Sequence, residues 1–481
     1  MSPKNRKRIL WQTSINEIEY DIQQMFSGLR PYSLSLSEPQ ARNSYFFPVD
    51  VKIDYFSTIT EEAIAAAIGD FKPDIMVHRY RQPIEPLLSA CKKTKTRLLV
   101  WISEQGPERE VEIDRALCFH NVIANNDSDY EFYKQSGVEN VYNMPFGCVP
   151  SFHRKVRAPA RYKTDIVCYG NPLYDYYESK RKAVDTLVKP VVENGFQVAL
   201  WGTAKGGGGW LEIPYVAKRA KLYRGMFSYE DLPAVNSGAK IVLGITANAQ
   251  YGAYGSRLAR ALSCGSFIIW HYTVGMEKYF ENHKHLCWSS SPKETLDLVK
   301  FYLKHDKERE RIAREGRRYA HENLDYAKML LPIIDDVLEQ PRVKTSSRWY
   351  DRCQPLKDSY RAGDYRAVVD GVARLMSEGL PQRLNDELLF YLANSFYFVG
   401  QYEKAAAELS QLLKRRRQAE WLNNLGVVQY KMRDAEAGQR SLREATDVRP
   451  GYLDARFNLE FARLNAPNLV ELKLTKGYIR S

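Results

Sequence analysis

The chain has 481 residues, room for about three domains at roughly 150 residues each. Hydrophobic residues make up 44% and charged residues 27%, so the chain can bury several cores and wholesale disorder is excluded. Lys and Arg number 70 against 58 for Asp and Glu, a net charge of +12 that favours anionic partners such as nucleotides, phosphates or an anionic membrane face.

No basic stretch is interleaved with aromatics as in a nucleic-acid module, so no nucleic-acid partner is expected. No apolar run approaches the roughly 18–20 residues that cross a bilayer. Arg8-Ile9-Leu10-Trp11 is too short for a signal-peptide core. Seven scattered cysteines without a C-x-x-C pair argue against both a disulfide framework and a thiolate zinc site. The expectation is a reduced, cytoplasmic protein.

In chain order, strands are predicted at Arg8–Gln12, Val51–Phe56, Asp74–His78, Arg97–Ile102, Asn121–Asn125 and Val141–Pro145. Helical patterns fall at Glu61–Gly69, Ile84–Lys92 and Asp129–Ser136. Pro150–Tyr162, rich in Pro and Arg, reads as a linker. The alternation then resumes with strands at Asp165–Tyr169, Gln197–Trp201, Lys240–Ile245 and Gly265–Trp270. Helices are predicted at Ser179–Asn194, Arg257–Ser263, Pro292–Lys304 and Lys307–His321. Strand and helix alternating at this spacing predict an α/β fold with two helix-covered parallel sheets, whose ligands bind at the carboxyl ends of the strands.

Beyond Trp349 strands give way to helical periodicity and an internal repeat. Leu392-Ala393, Gly400, Tyr402, Ala405, Leu409 and Leu412 form one unit. Leu425-Gly426, Arg433, Ala435, Gly438, Leu442 and Ala445, closed by Pro450, form the next, 33 residues on. Ala393 with Gly426, and Ala405 with Gly438, mark close approaches of antiparallel helices. The spacing resembles the tetratricopeptide repeat, which implies a concave surface for a peptide or protein. The alternative is an appendage that only stabilises the rest or makes a dimer. The predicted division is therefore 1–155, 160–340 and a helical-repeat region at 349–468.

One stretch carries the clearest chemistry. In Gly252-Ala-Tyr-Gly-Ser-Arg-Leu-Ala-Arg-Ala-Leu-Ser-Cys-Gly265, glycines precede Ser256, expected to cap the next helix, with Arg257 beside the helix-start amides. Such amides and a cation suit a diphosphate, although an ordinary capped helix with an exposed arginine has the same spacing. Around it, in order, stand Asp165-Ile-Val-Cys-Tyr-Gly-Asn171, Lys180-Arg181, Val198-Ala-Leu-Trp-Gly202, Leu222-Tyr-Arg-Gly225, Ser228-Tyr-Glu-Asp-Leu232 and Gly275-Met-Glu277. Gly206–Gly209 is no Walker motif, lacking a following Lys-Ser/Thr, and reads as a flexible loop or lid.

The series over Tyr162–Glu339 resembles the CgeB-like (spore-maturation-protein-like) glycosyltransferases, which have the GT-B fold, a pair of Rossmann-type domains facing a cleft. The first 150 residues resemble the family's acceptor-side domain through Pro73-Asp74-Ile, Leu98-Leu-Val-Trp-Ile102 and Gly137-Val-Glu-Asn-Val141. The resemblance implies sugar transfer from a nucleotide-sugar, which is the donor substrate, with no metal and no other cofactor. Donor diphosphate stabilisation carries over to Ser256 and Arg257, with Lys180 or Arg181 as a second cation. Gly170, Asn171 and Gly202 would let the chain pass close to the donor, the stretch from Arg224 to Tyr229 lies where loops approach the base, with Arg224 and Tyr229 named for donor binding, and Glu277 joins the donor-binding set. Where the family commonly has a ribose-binding glutamate this chain has Arg260, which only donates hydrogen bonds. This points to a differently held ribose, a donor with extra negative charge, or a lost donor site.

An inverting enzyme needs a general base. Glu104, just beyond the strand ending at Ile102, is the candidate, with His78 and His120 as alternatives. The expected acceptor is a protein recruited through 349–468. A lipid-linked or polysaccharide acceptor at an anionic membrane, contacted peripherally, is one alternative, and a non-catalytic scaffold is the other. The oligomeric state stays open.

Overall fold

The computed structural model describes residues 7–12, 40–43, 48–54, 60–79, 84–102, 116–175, 178–206, 208–246, 252, 254–380, 384–463 and 472–477. The first sheet is built by β1 (Lys7–Gln12), β2 (Gln40–Asn43), β3 (Pro48–Asp54), β4 (Ile75–Arg79), β5 (Arg97–Trp101), β6 (Asn121–Ala124) and β7 (Asn140–Asn143), in the order β2-β3-β1-β4-β5-β6-β7. All neighbours are parallel except β2 with β3. Helices α1 (Glu61–Phe71), α2 (Ile84–Thr94) and α3 (Asp127–Gln135) connect these strands. Thr60 opens α1 by accepting from the Ala63 amide, and left-handed Lys72 (φ 51°) closes it.

The second sheet comprises β8 (Thr164–Tyr169), β9 (Val198–Trp201), β10 (Tyr223–Gly225), β11 (Ala239–Gly244), β12 (Ile268–His271) and β13 (Cys287–Ser289), in the order β10-β9-β8-β11-β12-β13 and parallel throughout. Its helices are α4 (Glu178–Glu193), α5 (Pro214–Ala217), α6 (Leu232–Gly238), α7 (Ser256–Ser263), α8 (Pro292–Lys304) and α9 (Asp306–Asn323). Both sheets are buried by continuous apolar runs such as Ile241-Val242-Leu243, as parallel sheets covered on two faces require. Gly244 is glycine because of packing: a Cβ there would lie 1.8 Å from Cε3 of Trp270, itself 1% exposed. Gly244→Ala should therefore cost about 2–3 kcal/mol by overpacking, read as a Tm several degrees lower in a calorimetric melt.

Helix α10 (Tyr326–Glu339) follows the second sheet in sequence but packs on the first. Tyr326 meets Trp101 edge-on at 5.7 Å, Asp335 pairs with Lys7, and Tyr142 donates to Asp336. Pro150–Tyr162, expected to be a linker, joins the two sheets with mostly exposed residues and is anchored where His153 and Tyr162 are buried. His153 is fully buried, its ring accepts from the Val149 amide (2.9 Å), and its carbonyl accepts from Ser263 (2.6 Å).

The chain divides into two compact units, one holding both sheets and the other the helices from Ser346 onward. The second unit contains α11 (Arg348–Arg361), α12 (Tyr365–Ser377), α13 (Leu384–Phe398), α14 (Tyr402–Arg415), α15 (Ala419–Lys431), α16 (Ala435–Val448) and α17 (Leu453–Arg463). Gly426 and Gly438 face each other across α15 and α16, where a Cβ on Gly438 would lie 3.1 Å from the Gly426 carbonyl. The architecture is thus the pair of Rossmann-type sheets followed by an all-helical region that the sequence led us to expect. All seven cysteines are buried and lie outside any disulfide. Among the described residues no helix is long and apolar enough to cross a membrane.

Candidate functional site

Strand order reverses direction in the second sheet between β8 and β11, the switch point where open α/β sheets leave a crevice beyond their carboxyl ends. A cavity of about 480 Å³ lies there, within the size range of small-molecule sites. The ends of β8 and β9 contribute Tyr169, Gly170, Asn171 and Gly202, α4 contributes Lys180, and α7 contributes Ser256, Arg257 and Arg260. The stretch after β10 supplies Met226, Phe227 and Tyr229.

Arg257 sits astride the switch point. Its guanidinium donates to the carbonyl of Tyr169 at the end of β8 and to that of Ile245 just past β11, both at 3.0 Å. Gly170, at φ +109°, makes room for it, since a Cβ there would lie 1.7 Å from Nη1 of Arg257. Gly202 (φ +139°) likewise lets its loop approach the Gly170 carbonyl. Asn171 ties the two loops together by accepting from the Thr203 amide (3.1 Å) and hydroxyl.

Lys180 is only 7% exposed, and its ammonium donates to the Asn171 carbonyl at 2.8 Å. Burial, and then the Arg257 guanidinium, pull its pKa from 10.5 down to about 7. Arg260 is fully buried, with its guanidinium 5.2 Å from the Tyr229 ring centre. Phe152 stacks on the same ring at 5.7 Å, and Phe227 packs edge-on against Tyr169 and Trp201. The cavity therefore joins three cationic side chains to an aromatic wall, an arrangement that suits an anion carrying a flat apolar group.

The structure brings together Gly170, Asn171, Lys180, Gly202, Tyr229, Ser256, Arg257 and Arg260 from the expected set. Of the adjacent cations of α4, Lys180 lines the cavity and Arg181 is exposed. Arg224 is exposed on β10 and Glu277 binds Tyr272 and the Gly275 amide, so neither lines the cavity. Ser256 is not the cap of α7: Gly255 holds that position and Ser256 is the first helical residue. At the described positions of the Gly206–Gly209 run, the Glu212 carboxylate accepts from the amides of Gly206 (2.9 Å) and Gly209 (2.7 Å).

Glu104 lies outside the described residues. His78 is buried in β4 with its pKa lowered by burial to about 3, which keeps the imidazole neutral and makes it a weak base, and His120 is buried too. Tyr169, Leu173 and Leu232 line the cavity without having been singled out from sequence. Their signal was present only for Tyr169, the residue directly before the Gly-Asn at a strand end.

Residues 181–335 match the family model described as "Glycosyl transferase-like". No curated protein matches the chain. Solved structures similar to it include Anabaena HepE in complex with UDP-glucose (14% identity, TM-score 0.48, covering 69% of this chain and 99% of that one). A glycosyltransferase from Rickettsia africae is also similar (13%, 0.48, 70% and 100%). So is sucrose-phosphate synthase from Thermosynechococcus elongatus (14%, 0.46, 69% and 98%).

Proposed function

We propose that the protein is a glycosyltransferase of GT-B type that takes a sugar from a nucleotide-sugar donor held in the cavity at the ends of β8, β9 and β11. The observation that carries this reading is the convergence of Lys180, Arg257 and Arg260 beside Phe227 and Tyr229. The family match over residues 181–335 supports it. In this reading the cations and the first amides of α7 face the donor diphosphate, and the aromatic wall holds the base.

Breaking the bond from the anomeric carbon to the diphosphate oxygen leaves the electron pair, and a growing negative charge, on that oxygen. Fixed cations placed there lower the barrier because they need not reorganise as the charge develops. With side chains supplying this charge, transfer proceeds without a metal ion. Arg260 adds a positive charge where a ribose-binding carboxylate was expected, so this site favours the most anionic donor portion over hydroxyl acceptance. The acceptor we propose is a protein bound by the helical unit.

The test is to incubate the protein with UDP-, GDP-, dTDP- and ADP-sugars and follow release of the nucleoside diphosphate, with and without EDTA. Slow hydrolysis of one donor, unchanged by EDTA, is the expected result. Consumption of none would overturn the reading.

A pH dependence follows from Lys180. A bound diphosphate favours the charged amine and raises its pKa, so binding takes up a proton when the pH exceeds about 7. Affinity for a nucleotide-sugar, whose diphosphate diester does not titrate in this range, should be flat below pH 7 for this group. Above it, affinity should fall by up to tenfold per unit until the bound-state pKa is reached. Calorimetry in buffers of different ionisation enthalpy would read the proton uptake directly, and pH-independent affinity between 7 and 9 would contradict it.

A further inference from the structure

Residues Leu472–Lys476 lie along the helical unit outside any helix or strand and are held by a row of asparagines. Asn424 brackets Thr475, accepting from its amide and donating to its carbonyl, both at 2.8 Å. Asn458 does the same to Lys473, at 2.7 Å to the amide and 2.8 Å to the carbonyl. Asn423 also donates to the Lys473 carbonyl (3.0 Å), Asn394 to that of Thr475 (3.0 Å), and the Tyr360 hydroxyl to that of Lys476 (3.0 Å).

These polar groups come from α11, α13, α15 and α17, every second helix, so they line one face of the helical unit. They also bond to one another, Asn458 to Asn423, Asn423 to Asn424, and Asn424 to Asn394. All four asparagines are at most 1% exposed. Buried amides this numerous need partners, and the segment's main chain supplies them.

Recognition here is directed mainly at the backbone, with amide and carbonyl of alternate residues gripped in pairs. Side chains add less exacting contacts. The Lys473 and Lys476 ammonium groups lie 4.1 and 5.4 Å from the ring centres of Phe457 and Phe398, and the Thr475 hydroxyl meets Tyr452 and Asn423. A site that reads main chain accepts any extended polypeptide whose side chains fit.

We infer that this asparagine row is a binding site for an extended peptide of a second protein, and that the chain's own Leu472–Lys476 occupies it as an intramolecular competitor. Tethered by eight residues after Arg463, the segment acts at an effective concentration in the millimolar range, so an incoming peptide must displace it. The identity of that peptide as a glycosyl acceptor rests on the function proposed above, whereas the site itself does not.

The test uses a fluorescent peptide with the sequence of residues 469–478 and measures anisotropy against three proteins: the full chain, the chain ending at Asn465, and the full chain with Thr475→Pro. Proline at 475 deletes the amide that Asn424 accepts from. Both altered proteins should bind the peptide at least tenfold more tightly than the full chain. Adding Asn424→Ala to either should weaken binding tenfold or more, since two main-chain bonds are lost.

Equal binding by all three proteins would overturn the proposal. So would no binding by an altered protein whose helical circular dichroism is intact, or loss of helicity in both, which would make the segment a folding staple only. Nucleotide-sugar titration of the same proteins reads the other unit separately, so failure of the peptide site and failure of the transferase reading are distinguishable.

Discussion

Lys180→Met should make the protein more stable and, at the same time, unable to hold a nucleotide-sugar. The wild-type ammonium is 7% exposed and titrates near 7 instead of 10.5, with burial the main cause and Arg257 the next. The folded pKa is lower than the unfolded one, so between these values the unfolded chain binds more protons and stability rises with pH. Below about 7 both states carry the proton and the full destabilisation is present. At one and a third kcal/mol per unit it is on the order of 3–5 kcal/mol at pH 6. Methionine fills similar volume without the charge, while giving up the bond to the Asn171 carbonyl.

The expected outcome at pH 6 is therefore a Tm raised by several degrees in a calorimetric scan, together with at least a hundredfold loss of nucleotide-sugar affinity. The stability gain should shrink as the pH is raised from 7 to 10. A lowered Tm with retained affinity would show that Lys180 is structural.

Gly170→Ala should damage both properties. The added methyl would stand 1.7 Å from Arg257 Nη1 at a backbone φ of +109°. Relief requires the guanidinium to leave the Tyr169 and Ile245 carbonyls, each a charge-assisted bond worth about 1.5–3 kcal/mol, and the positive φ adds strain of about 1 kcal/mol or more. Stability should drop by about 3 kcal/mol or more in urea unfolding, and donor affinity by at least thirtyfold in calorimetric titration. Lys180→Met and Gly170→Ala thus move stability in opposite directions and binding in the same one. That pattern is expected only if a strained cluster of positive charge exists to take an anion.

Much of the sheet architecture was legible because strands buried on both faces are written as unbroken apolar runs, such as Leu98-Leu-Val-Trp101 and Ile241-Val-Leu. The strands that escaped notice lack that signature. β2 is the polar edge segment Gln-Ala-Arg-Asn, and β10 and β13 have three residues each.

At the site, glycine after a strand and a cation at a helix start carried the pattern, but not the direction of each side chain. The choice between Lys180 and Arg181 was in fact available. Lys180 shares the helical phase of the buried residues Ala183, Val184, Leu187, Val188 and Val191, whereas Arg181 does not. Arg257 is legible as a cation at a helix start, but two of its hydrogen bonds serve carbonyls at strand ends 12 and 88 residues away, which no local pattern encodes. The Leu472–Lys476 segment was invisible for the same reason, since its partners lie up to 116 residues distant.

The proposed function requires the cavity between β8, β9 and α7 to hold a nucleoside diphosphate. Titrating UDP, GDP, dTDP and ADP into the wild-type chain and into Lys180→Met, with the melting temperature as readout, tests it most directly. At one hundred times its dissociation constant the right nucleotide should stabilise the wild type by about 2.7 kcal/mol and leave the variant unmoved. Stabilisation by none of the four, or equal stabilisation of both proteins, would contradict the account.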